Sequence, residues 1–374
     1  MKLLKLIFLV PPAALVVIAV RLLARRGILI RFGEIWSSRI GHMAGNMECY
    51  LCEKEAGLSK GFDIWIHRGE PTSKQLAKML GRVIHIGPTW FFHVVMVING
   101  LFEGSEKHVI TTSQLDRDIN NLYAKQKPHL SFTKQEEEQG REGLKKLGIP
   151  EGAKWVCLIV RDSAYLPQLG YHSYRDSEID TYELAVRALA DRGYYVVRMG
   201  VKVKKPLKVD HPKVIDFATN GTHSDFMSIY LGAHCEFAVS NGTGIDAIPA
   251  IFRRPICFVN YAPLEYLNTW IPNSLAIFKH YEKDGKRMAL KEVYDSKCGQ
   301  FMSTPDFLDA GISLVDNTPE EIREVVLEMA DGAKTDDQEK FWKDFPRSNS
   351  AYNDKPLHGE IKMRIGAKFC AQYS

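Results

Sequence analysis

The sequence lacks several features by which a class of protein is recognised. Its seven cysteines are an odd number without the spacing of a disulfide framework, which favours a reducing compartment. Its net charge of +4 is small and its charged runs are scattered, so the chain has no basic stripe of the kind that binds nucleic acid. With 45% hydrophobic and 25% charged residues, the composition is that of a globular protein and excludes wholesale disorder.

Short motifs for cofactors and metals are also missing. The chain has neither G-x-G-x-x-G nor G-x-x-x-x-G-K-[ST], so neither a dinucleotide fold nor a P-loop is indicated. Cys49 and Cys52 form a C-x-x-C on one predicted helix, but no second pair or neighbouring histidine completes a zinc site. The acidic residues Asp176, Glu178 and Asp180 are explained by the preference for carboxylates at a helix start. We therefore expect no metal site.

The most informative segment is EFAVSNGTGIDAIPAIFRRPICFVN, residues 236–260. Its pattern predicts a strand at Glu236–Val239, a loop at Ser240–Gly244, a short helix at Ile245–Phe252 and a second strand at Pro255–Val259. A loop before a helix presents unpaired backbone N–H groups at the positive end of the helix dipole. Such a loop is a suitable binding site for a phosphate or a pyrophosphate. The alternative is that the segment is an ordinary βα turn without a ligand.

The residues of this loop suit the same ligand. Ser240, Asn241 and Thr243 supply side-chain hydrogen-bond donors. Gly242 and Gly244 permit positive φ angles and the close approach of a ligand to the backbone. We therefore predict that all five residues bind phosphate.

The N-terminal segment predicts attachment to a membrane. Leu6–Val20 is an uncharged apolar run, and as a helix it measures about 23 Å, less than the roughly 30 Å of a hydrocarbon core. It spans a bilayer only with its flanking leucines and snorkelling charges, and its two prolines keep a half-inserted hairpin or an interfacial helix open. Arg21, Arg25 and Arg26 lie where a signal peptide would have the small residues of its cleavage site, which disfavours a cleaved signal peptide. They outnumber the charges before the run, which places the rest of the chain on the cytoplasmic side of the inner membrane.

Two series of alternating strands and helices follow, which predicts right-handed βαβ units around parallel sheets. In the first series we expect strands at Ile28–Phe32, Phe62–His67 and Val83–Ile86, and helices at Asn46–Ala56, Ser73–Leu80 and Trp90–Leu101. Between the two series we expect a helix at Lys134–Leu147 in the region that crosses between the domains. In the second series, which begins at Trp155, we expect strands at Trp155–Arg161, Tyr194–Met199, Lys213–Phe217, Leu275–Phe278 and Met288–Leu290, and helices at Thr181–Arg192, Ser224–Leu231 and Thr318–Ala330.

The expected fold class is therefore α/β, with two Rossmann-like domains that face a cleft and an N-terminal membrane-associated helix. We divide the chain into an anchor (residues 1–26), a first domain with a linker (27–150), a second domain (151–345) and a C-terminal tail that packs back on the fold (346–374). Loops at the carboxyl ends of the strands line the expected cleft.

Those loops contain the other candidate site residues. His42 lies between two glycines in a predicted loop and is suited to act as a general base, although a structural hydrogen bond is the alternative. Arg161 directly follows a strand, so its guanidinium suits a diphosphate at the mouth of the cleft. His172 and Arg175 add donors, unless Arg175 pairs with the neighbouring aspartate. Arg198 follows the next strand and suits either phosphate or an ordinary surface position.

The segments RDS, YHSYRDSEIDTY, GYYVVRMG, KVIDFA, SDFMSIYL and FAVSNGTGIDAIPAIFRRP, together with GHMAGN, resemble a family of bacterial surface-polysaccharide glycosyltransferases. The resemblance covers most of residues 28–262. It implies the GT-B architecture, in which the N-terminal domain holds the acceptor and the C-terminal domain holds the nucleotide-sugar donor. It also implies donor phosphates near Arg161 and Ser240–Gly244, acceptor chemistry near His42 and no metal or other cofactor, because basic side chains and a helix N-terminus stabilise the leaving diphosphate.

The expected function is transfer of a sugar from a nucleotide-sugar, as co-substrate, to a lipid-linked or surface-polysaccharide acceptor by direct displacement. The expected partners are the donor, the glycan or lipid-linked acceptor and the membrane, without nucleic acid. Two alternatives remain, because a fold does not determine a reaction. One is a nucleotide-sugar epimerase or another enzyme of the same fold, such as a pyruvyl transferase, and the other is a non-catalytic membrane-associated assembly protein.

Overall fold

The structure is a computed structural model that describes residues 2–110, 117–164, 167–332, 338–349 and 355–373. Contacts within the chain divide it into two units. Unit 1 comprises Met1–Asp116 and Pro128–Ser131, and unit 2 comprises Arg117–Lys127 and Phe132–Ser374.

Unit 1 is built around a three-stranded sheet in the order β1-β2-β3, in which both pairs of strands are parallel. Its elements are α1 (Lys2–Arg25), β1 (Ile30–Ile35), α2 (Ile40–Glu55), β2 (Phe62–His67), α3 (Lys74–Leu80), β3 (His85–Ile86) and α4 (Thr89–Asn99). A short 3-10 turn follows at Ser105–His108.

Helix α2 begins at Ile40 rather than at Asn46, so the segment GHMAGN is helical and the prediction of a loop there is wrong. Met43, Ala44 and Met47 are all buried and follow a helical period, and this packing holds the first turns of the helix. The two glycines in these turns cost only about 1 kcal/mol each in helix propensity, which the packing offsets.

Helix α1 is packed along α4 as part of unit 1. Their shared core consists of buried aliphatic residues from both helices: Ala13, Val17, Val20, Val94, Val95 and Ile98. Among the described residues, one helical segment, Phe8–Arg25, is long and apolar enough to cross a membrane, with a mean hydropathy of 1.9. Helix α1 continues through Pro11 and Pro12.

Unit 2 contains the remaining elements. Its helices are α5 (Lys134–Lys146), α6 (Glu183–Asp191), α7 (Asp225–His234), α8 (Ala247–Ile251), α9 (Leu290–Asp295), α10 (Thr304–Asp309), α11 (Pro319–Asp331), α12 (Glu339–Lys343) and α13 (Ala367–Cys370). Its strands are β4 (Trp155–Ile159), β5 (Tyr195–Met199), β6 (Val214–Ile215), β7 (Phe237–Ser240), β8 (Ile256–Tyr261), β9 (Leu275–Phe278), β10 (His280–Lys283), β11 (Lys286–Arg287), β12 (Ile312–Val315), β13 (Ser348–Asn349), β14 (Lys355–Pro356) and β15 (Arg364–Ile365).

The centre of unit 2 is a seven-stranded sheet in the order β15-β9-β8-β7-β4-β5-β6, with parallel pairing throughout. Strands β4, β7 and β8 are entirely buried, as expected for a parallel sheet covered on both faces. Together with the parallel sheet of unit 1, this sheet confirms the predicted α/β class.

Some boundaries differ from their predicted positions. The segment Met288–Leu290, predicted as a strand, instead joins β11 to the first residue of α9. Helix α5 belongs to unit 2, where Gly140 and Gly143 bring it close to Tyr230 and Met227 of α7, so the division falls before residue 150. The C-terminal tail contributes β15 to the edge of the main sheet beside β9.

Candidate functional site

The strand order of unit 2 places a topological switch point between β4 and β7. From β4 the chain proceeds to β5 and β6 on one side, then returns to β7 on the other side and continues to β8 and β9. In open α/β sheets, ligands bind at the carboxyl ends of the two strands between which the order reverses. Ile159 of β4 pairs in register with Ser240 of β7. Arg161 and the loop after Ser240 therefore lie together at this switch point.

Asn241 connects three segments at the switch point. Its side chain is fully buried, and its Oδ1 accepts a hydrogen bond of 2.9 Å from the backbone N–H of Arg161. Its Nδ2 donates a hydrogen bond of 2.9 Å to the carbonyl of Arg175. The guanidinium of Arg175 in turn donates to the carbonyl of Gly242. The predicted residues Arg161, Arg175, Asn241 and Gly242 are thus brought into one network.

Positive charge is concentrated in this network. The Nε of Arg161 donates to Oδ1 of Asp176 at 3.1 Å, and its side chain is 18% exposed. Burial lowers the pKa of Arg161, and the nearby charge of Arg175 lowers it further. Asp176 pairs with Arg161. The alternative considered for the sequence was that Asp176 pairs with its neighbour Arg175. An anion placed here would reduce the repulsion between the two guanidinium groups.

Lys279 adds a third cation, which the sequence did not reveal. It lies just after β9, is 4% exposed, and its Nζ donates to the carbonyl of Asp176 at 2.7 Å. The same Nζ pairs with Oδ1 of Asp316 at 2.7 Å. Lys279 therefore holds the loop that carries Asp176 and adds a positive charge next to the backbone of that loop.

The glycine loop after β7 is capped from within. The N–H of Thr243 donates to Oδ2 of Asp246 at 2.7 Å, and the N–H of Gly242 donates to Oγ of Ser240 at 3.1 Å. Ser240 also donates to Asp246 at 2.9 Å. The expectation that these backbone N–H groups are unpaired is therefore wrong, because Asp246 is a built-in cap. Phosphate binding by Ser240–Gly244 stays a prediction, and Gly244 begins the 3-10 turn that follows the loop.

Thr243 is the loop residue best placed to receive a ligand. Its Oγ1 is buried and has no hydrogen-bond partner within the described part of the chain. A buried hydroxyl without a partner is costly, which favours a role in binding. The preceding Gly242 has φ of +81°, and an added Cβ would lie 2.8 Å from the ring of Tyr261. Only glycine fits at this position.

Two predicted site residues have different surroundings. Arg198 is 1% exposed, and its guanidinium donates to the carbonyl of Lys205 and to Asp216, so it braces the loop between β5 and β6. His172 lies half-buried in the 3-10 segment Pro167–Arg175, where its ring centroid is 4.0 Å from that of Tyr171. The predicted roles of Arg198 and His172 in phosphate binding stay predictions.

Glu265 is a second residue that the sequence did not reveal. It follows β8 in a 3-10 turn, is 1% exposed and accepts a hydrogen bond of 2.7 Å from Gln300 on Oε2. Its Oε1 has no partner among the residues that the structure describes. Burial raises the pKa of Glu265 to about 7. A carboxyl group that titrates near neutrality beside the switch-point strands is a candidate for proton transfer or ligand binding.

In unit 1, His42 lies in the first turns of α2, not in a loop. Its ring packs edge-on against Trp36 with centroids 4.8 Å apart. Its Nδ1 is buried and has no hydrogen-bond partner in the described ranges of the chain. The imidazole is therefore held in place by its packing against Trp36.

A second histidine lies at the carboxyl edge of the same sheet. His67 ends β2, and its Nδ1 is 2.6 Å from Oγ of the fully buried Ser37, which follows β1. The Ser37 hydroxyl is also 3.1 Å from the carbonyl of Ile35. Burial lowers the pKa of His67, which keeps the imidazole neutral near pH 7. His67 was predicted only as the end of a strand, because a Ser–His contact across two strands leaves no motif in the sequence.

Comparisons with known proteins give similarity at the level of structure. No family model matches the chain, and no curated protein matches it in sequence. Among solved structures, a glycosyl transferase of family 9 from Veillonella parvula is similar over 82% of this chain and 98% of its own length, at 8% identity and a TM-score of 0.49.

Two Escherichia coli enzymes are also similar to the chain. ADP-heptose lipopolysaccharide heptosyltransferase II covers 66% of this chain and 90% of its own, at 13% identity and a TM-score of 0.40. A heptosyltransferase with ADP covers 72% and 99%, at 12% identity and a TM-score of 0.35. These neighbours are bacterial glycosyltransferases, the class that the sequence resemblance implied. At these identities and TM-scores, the similarity does not show the activity of this chain.

Proposed function

We propose that the chain is a glycosyltransferase that moves a sugar from a nucleotide-sugar donor to a lipid-linked or surface-polysaccharide acceptor. The observation that carries the proposal is the pair of arginines at the switch point of unit 2. The guanidinium of Arg175 donates to the carbonyl of Gly242 in the glycine loop, and it is close enough to Arg161 for its charge to lower the pKa of Arg161. A nucleoside diphosphate is a suitable anion for this position, since one guanidinium group can donate two parallel hydrogen bonds to phosphate oxygens.

In this proposal unit 2 binds the donor. Arg161, Arg175 and the hydroxyl of Thr243 contact the diphosphate, whereas Asn241 positions the three segments that carry them. The leaving diphosphate gains negative charge as the sugar departs, and the fixed cations stabilise that charge. The reaction needs no metal or other cofactor under this proposal, because the arginines supply the neutralising charge.

Unit 1 supplies the general base for the acceptor hydroxyl. We assign this role to His42, because its Nδ1 lacks a hydrogen-bond partner among the described residues. His67 is the second candidate, since Ser37 orients its ring and burial favours its neutral form. In a direct displacement, the base takes the acceptor proton while the acceptor oxygen bonds to the sugar and the diphosphate leaves.

Attachment to a membrane completes the proposal. Helix α1 is packed on α4 from Leu9 to Val20, which supports attachment by both helices together over a lone span of α1 across a bilayer. The outer faces of the two helices nevertheless expose large apolar residues, namely Phe8, Leu15, Ile18, Leu22, Trp90 and Val97. We propose that this surface inserts into one leaflet of the inner membrane from the cytoplasmic side, where a lipid-linked acceptor is concentrated.

Nucleotide binding tests the donor site. In calorimetric titrations of the purified protein with ADP and UDP, at least one should bind, and Arg161→Ala and Arg175→Ala should each weaken that binding about tenfold or more. Arg187→Ala, which removes an exposed arginine from α6, is the matched control and should bind as the wild type does. Failure of both nucleotides to bind the wild type would favour the non-catalytic alternative.

Radiolabelled nucleotide-sugars then distinguish the reactions. A glycosyltransferase should release the nucleoside diphosphate only as label enters a lipid or glycan acceptor. If the sugar is isomerised in the absence of acceptor, the epimerase is the correct assignment and the proposed transfer is wrong.

Sedimentation with vesicles tests the membrane surface. The wild type should sediment with vesicles of phosphatidylglycerol and phosphatidylcholine. Leu15→Glu and Val97→Glu should reduce the bound fraction, because each places a charge on the proposed apolar surface. The control is Leu184→Glu, which changes an exposed leucine of α6. Equal binding of all three variants would refute the assignment of this surface.

A further inference from the structure

Unit 1 contains a cluster of metal-ligating side chains that the proposed transfer does not use. Glu48 and Cys52 lie one turn apart on α2, so their side chains share a face of the helix. His129 reaches the same point from the segment Pro128–Ser131, which belongs to unit 1. One ligand atom from each residue lies within 4.8 Å of the other two.

The separations of the three ligand atoms suit one small cation. His129 Nδ1 is 3.0 Å from Glu48 Oε1, whereas Cys52 Sγ is 3.8 Å from that oxygen and 4.0 Å from Nδ1. In a tetrahedral site with bonds of about 2.0–2.3 Å, the ligand atoms are roughly 3.3–3.8 Å apart. Adjustments of a few tenths of an ångström would therefore bring the three atoms to bonding distance of one ion.

A fourth residue provides the outer support that metal-bound histidines usually have. Glu55 Oε2 is 2.9 Å from Nε2 of His129, on the opposite side of the ring from Glu48. An imidazole that binds a metal through one nitrogen commonly donates its other N–H to a carboxylate, which fixes the tautomer and the ring orientation. With Nε2–H donated to Glu55, Nδ1 faces Glu48 and Cys52, and its lone pair can bind an ion there once Nδ1 has lost its proton.

We propose that Glu48, Cys52 and His129 form a binding site for a divalent cation of the zinc type. Thiolate, imidazole and carboxylate together suit Zn²⁺, whereas Mg²⁺ and Ca²⁺ prefer oxygen ligands alone. The carboxylate and the thiolate balance the two charges of the ion, so the buried assembly is neutral. Binding releases to solvent both the thiol proton of Cys52 and the proton between His129 Nδ1 and Glu48, and water fills the fourth position.

The exposure of the four side chains indicates the side from which an ion would reach the site. Glu48 is 1% exposed and Cys52 is fully buried, but the side chains of His129 and Glu55 are 17% and 58% exposed. The site is therefore open to solvent on the side of His129. Because Pro128–Ser131 is distant in sequence from α2, a bound ion fastens this segment to the helix and stabilises unit 1.

Cobalt binding to the chelator-treated full chain tests the site, because a thiolate bound to Co²⁺ gives a charge-transfer absorption. The wild type should bind one Co²⁺ with this absorption, and Zn²⁺ should displace it. Cys52→Ala should abolish the absorption, whereas Cys49→Ala, the matched control from the same helix, should retain it. Glu55→Gln should weaken binding tenfold to a hundredfold, the usual effect of losing an outer carboxylate.

Thermal unfolding with and without Zn²⁺ provides the second measurement. Zn²⁺ should raise the midpoint of the wild type and of Cys49→Ala, but not that of Cys52→Ala, whose fold is checked beforehand by circular dichroism. Without metal, the imidazole of His129 donates hydrogen bonds to Glu48 and Glu55, and the bond to Glu48 raises the pKa of His129. The proposal is overturned if the wild type gives no thiolate absorption, or if the absorption persists in Cys52→Ala.

Discussion

Replacement of Glu265 by glutamine should stabilise the protein at alkaline pH and change little at acid pH. The carboxyl group is 1% exposed, Gln300 donates to its Oε2 at 2.7 Å, and burial raises its pKa to about 7. A glutamine keeps an oxygen that can accept from Gln300, but it cannot ionise. The variant therefore isolates the free energy of burying this charge.

The sign and size follow from linkage between ionisation and folding. Below the ordinary carboxyl pKa of about 4.5, Glu265 is protonated in both states and costs nothing. Between pH 4.5 and about 7 the carboxyl group is ionised in the unfolded chain but still protonated in the folded chain, so unfolding becomes more favourable as the pH rises through this range. The difference of about 2.5 pKa units corresponds to roughly 3 kcal/mol, of which about 2.5 kcal/mol develops between pH 5 and pH 8.

Thermal melts of wild type and Glu265→Gln at pH 5, 6.5 and 8 measure this difference. The advantage of the variant should grow by about 5 °C from pH 5 to pH 8. Glu142→Gln, which neutralises an exposed carboxylate of α5, is the control and should show a flat difference. An advantage of Glu265→Gln that is constant with pH, or that falls as the pH rises, would refute the reasoning.

Three further predictions concern other parts of the molecule. His42→Gln should lower sugar transfer about a hundredfold or more without weakening nucleotide binding, whereas His67→Gln should lower it less than tenfold; the reverse order of rates would move the role of base to His67. Gly242→Ala should lower thermal stability by roughly 1–2 kcal/mol, because φ is +81° and the new Cβ would meet the Tyr261 ring; an unchanged melting temperature would contradict this. Burial opposes ionisation of Glu321, but hydrogen bonds from His280 and the Thr318 N–H lower its pKa to about 2. This stabilisation is present above about pH 4.5 and is lost as the pH falls toward 2. Glu321→Gln should therefore cost up to about 3 kcal/mol at pH 7, and its deficit in denaturant melts should shrink below pH 4.5.

Local patterns were sufficient for most elements of the fold. The alternation of apolar strands and helices predicts parallel sheets, and unbroken apolar runs such as Trp155–Ile159 predict strands buried on both faces. The capping box of α11 is readable from Thr318 and Glu321 alone, and both of its hydrogen bonds are present at 2.9 and 3.2 Å. The GHMAGN helix was missed, because its glycines resemble a loop when the packing of Met43 and Met47 is unknown.

The residues of the candidate site likewise fall into those that a local pattern predicts and those that depend on long-range contacts. The sequence identified Arg161 and Ser240–Gly244, because both follow apolar strands directly. It did not identify Lys279, Glu265 or His67, whose significance depends on contacts between residues far apart in the chain.

The sequence by itself determined the α/β class, the positions of most strands and the apolar N-terminal helix, since these depend on periodicity and composition within short windows. Only the tertiary structure decided which strand ends meet, and it placed β7 beside β4 so that Asn241 joins Arg161 to Arg175. It also showed that Asp246 caps the glycine loop. Pairing across a sheet, burial and charge proximity arise from long-range packing, and no local pattern encodes them.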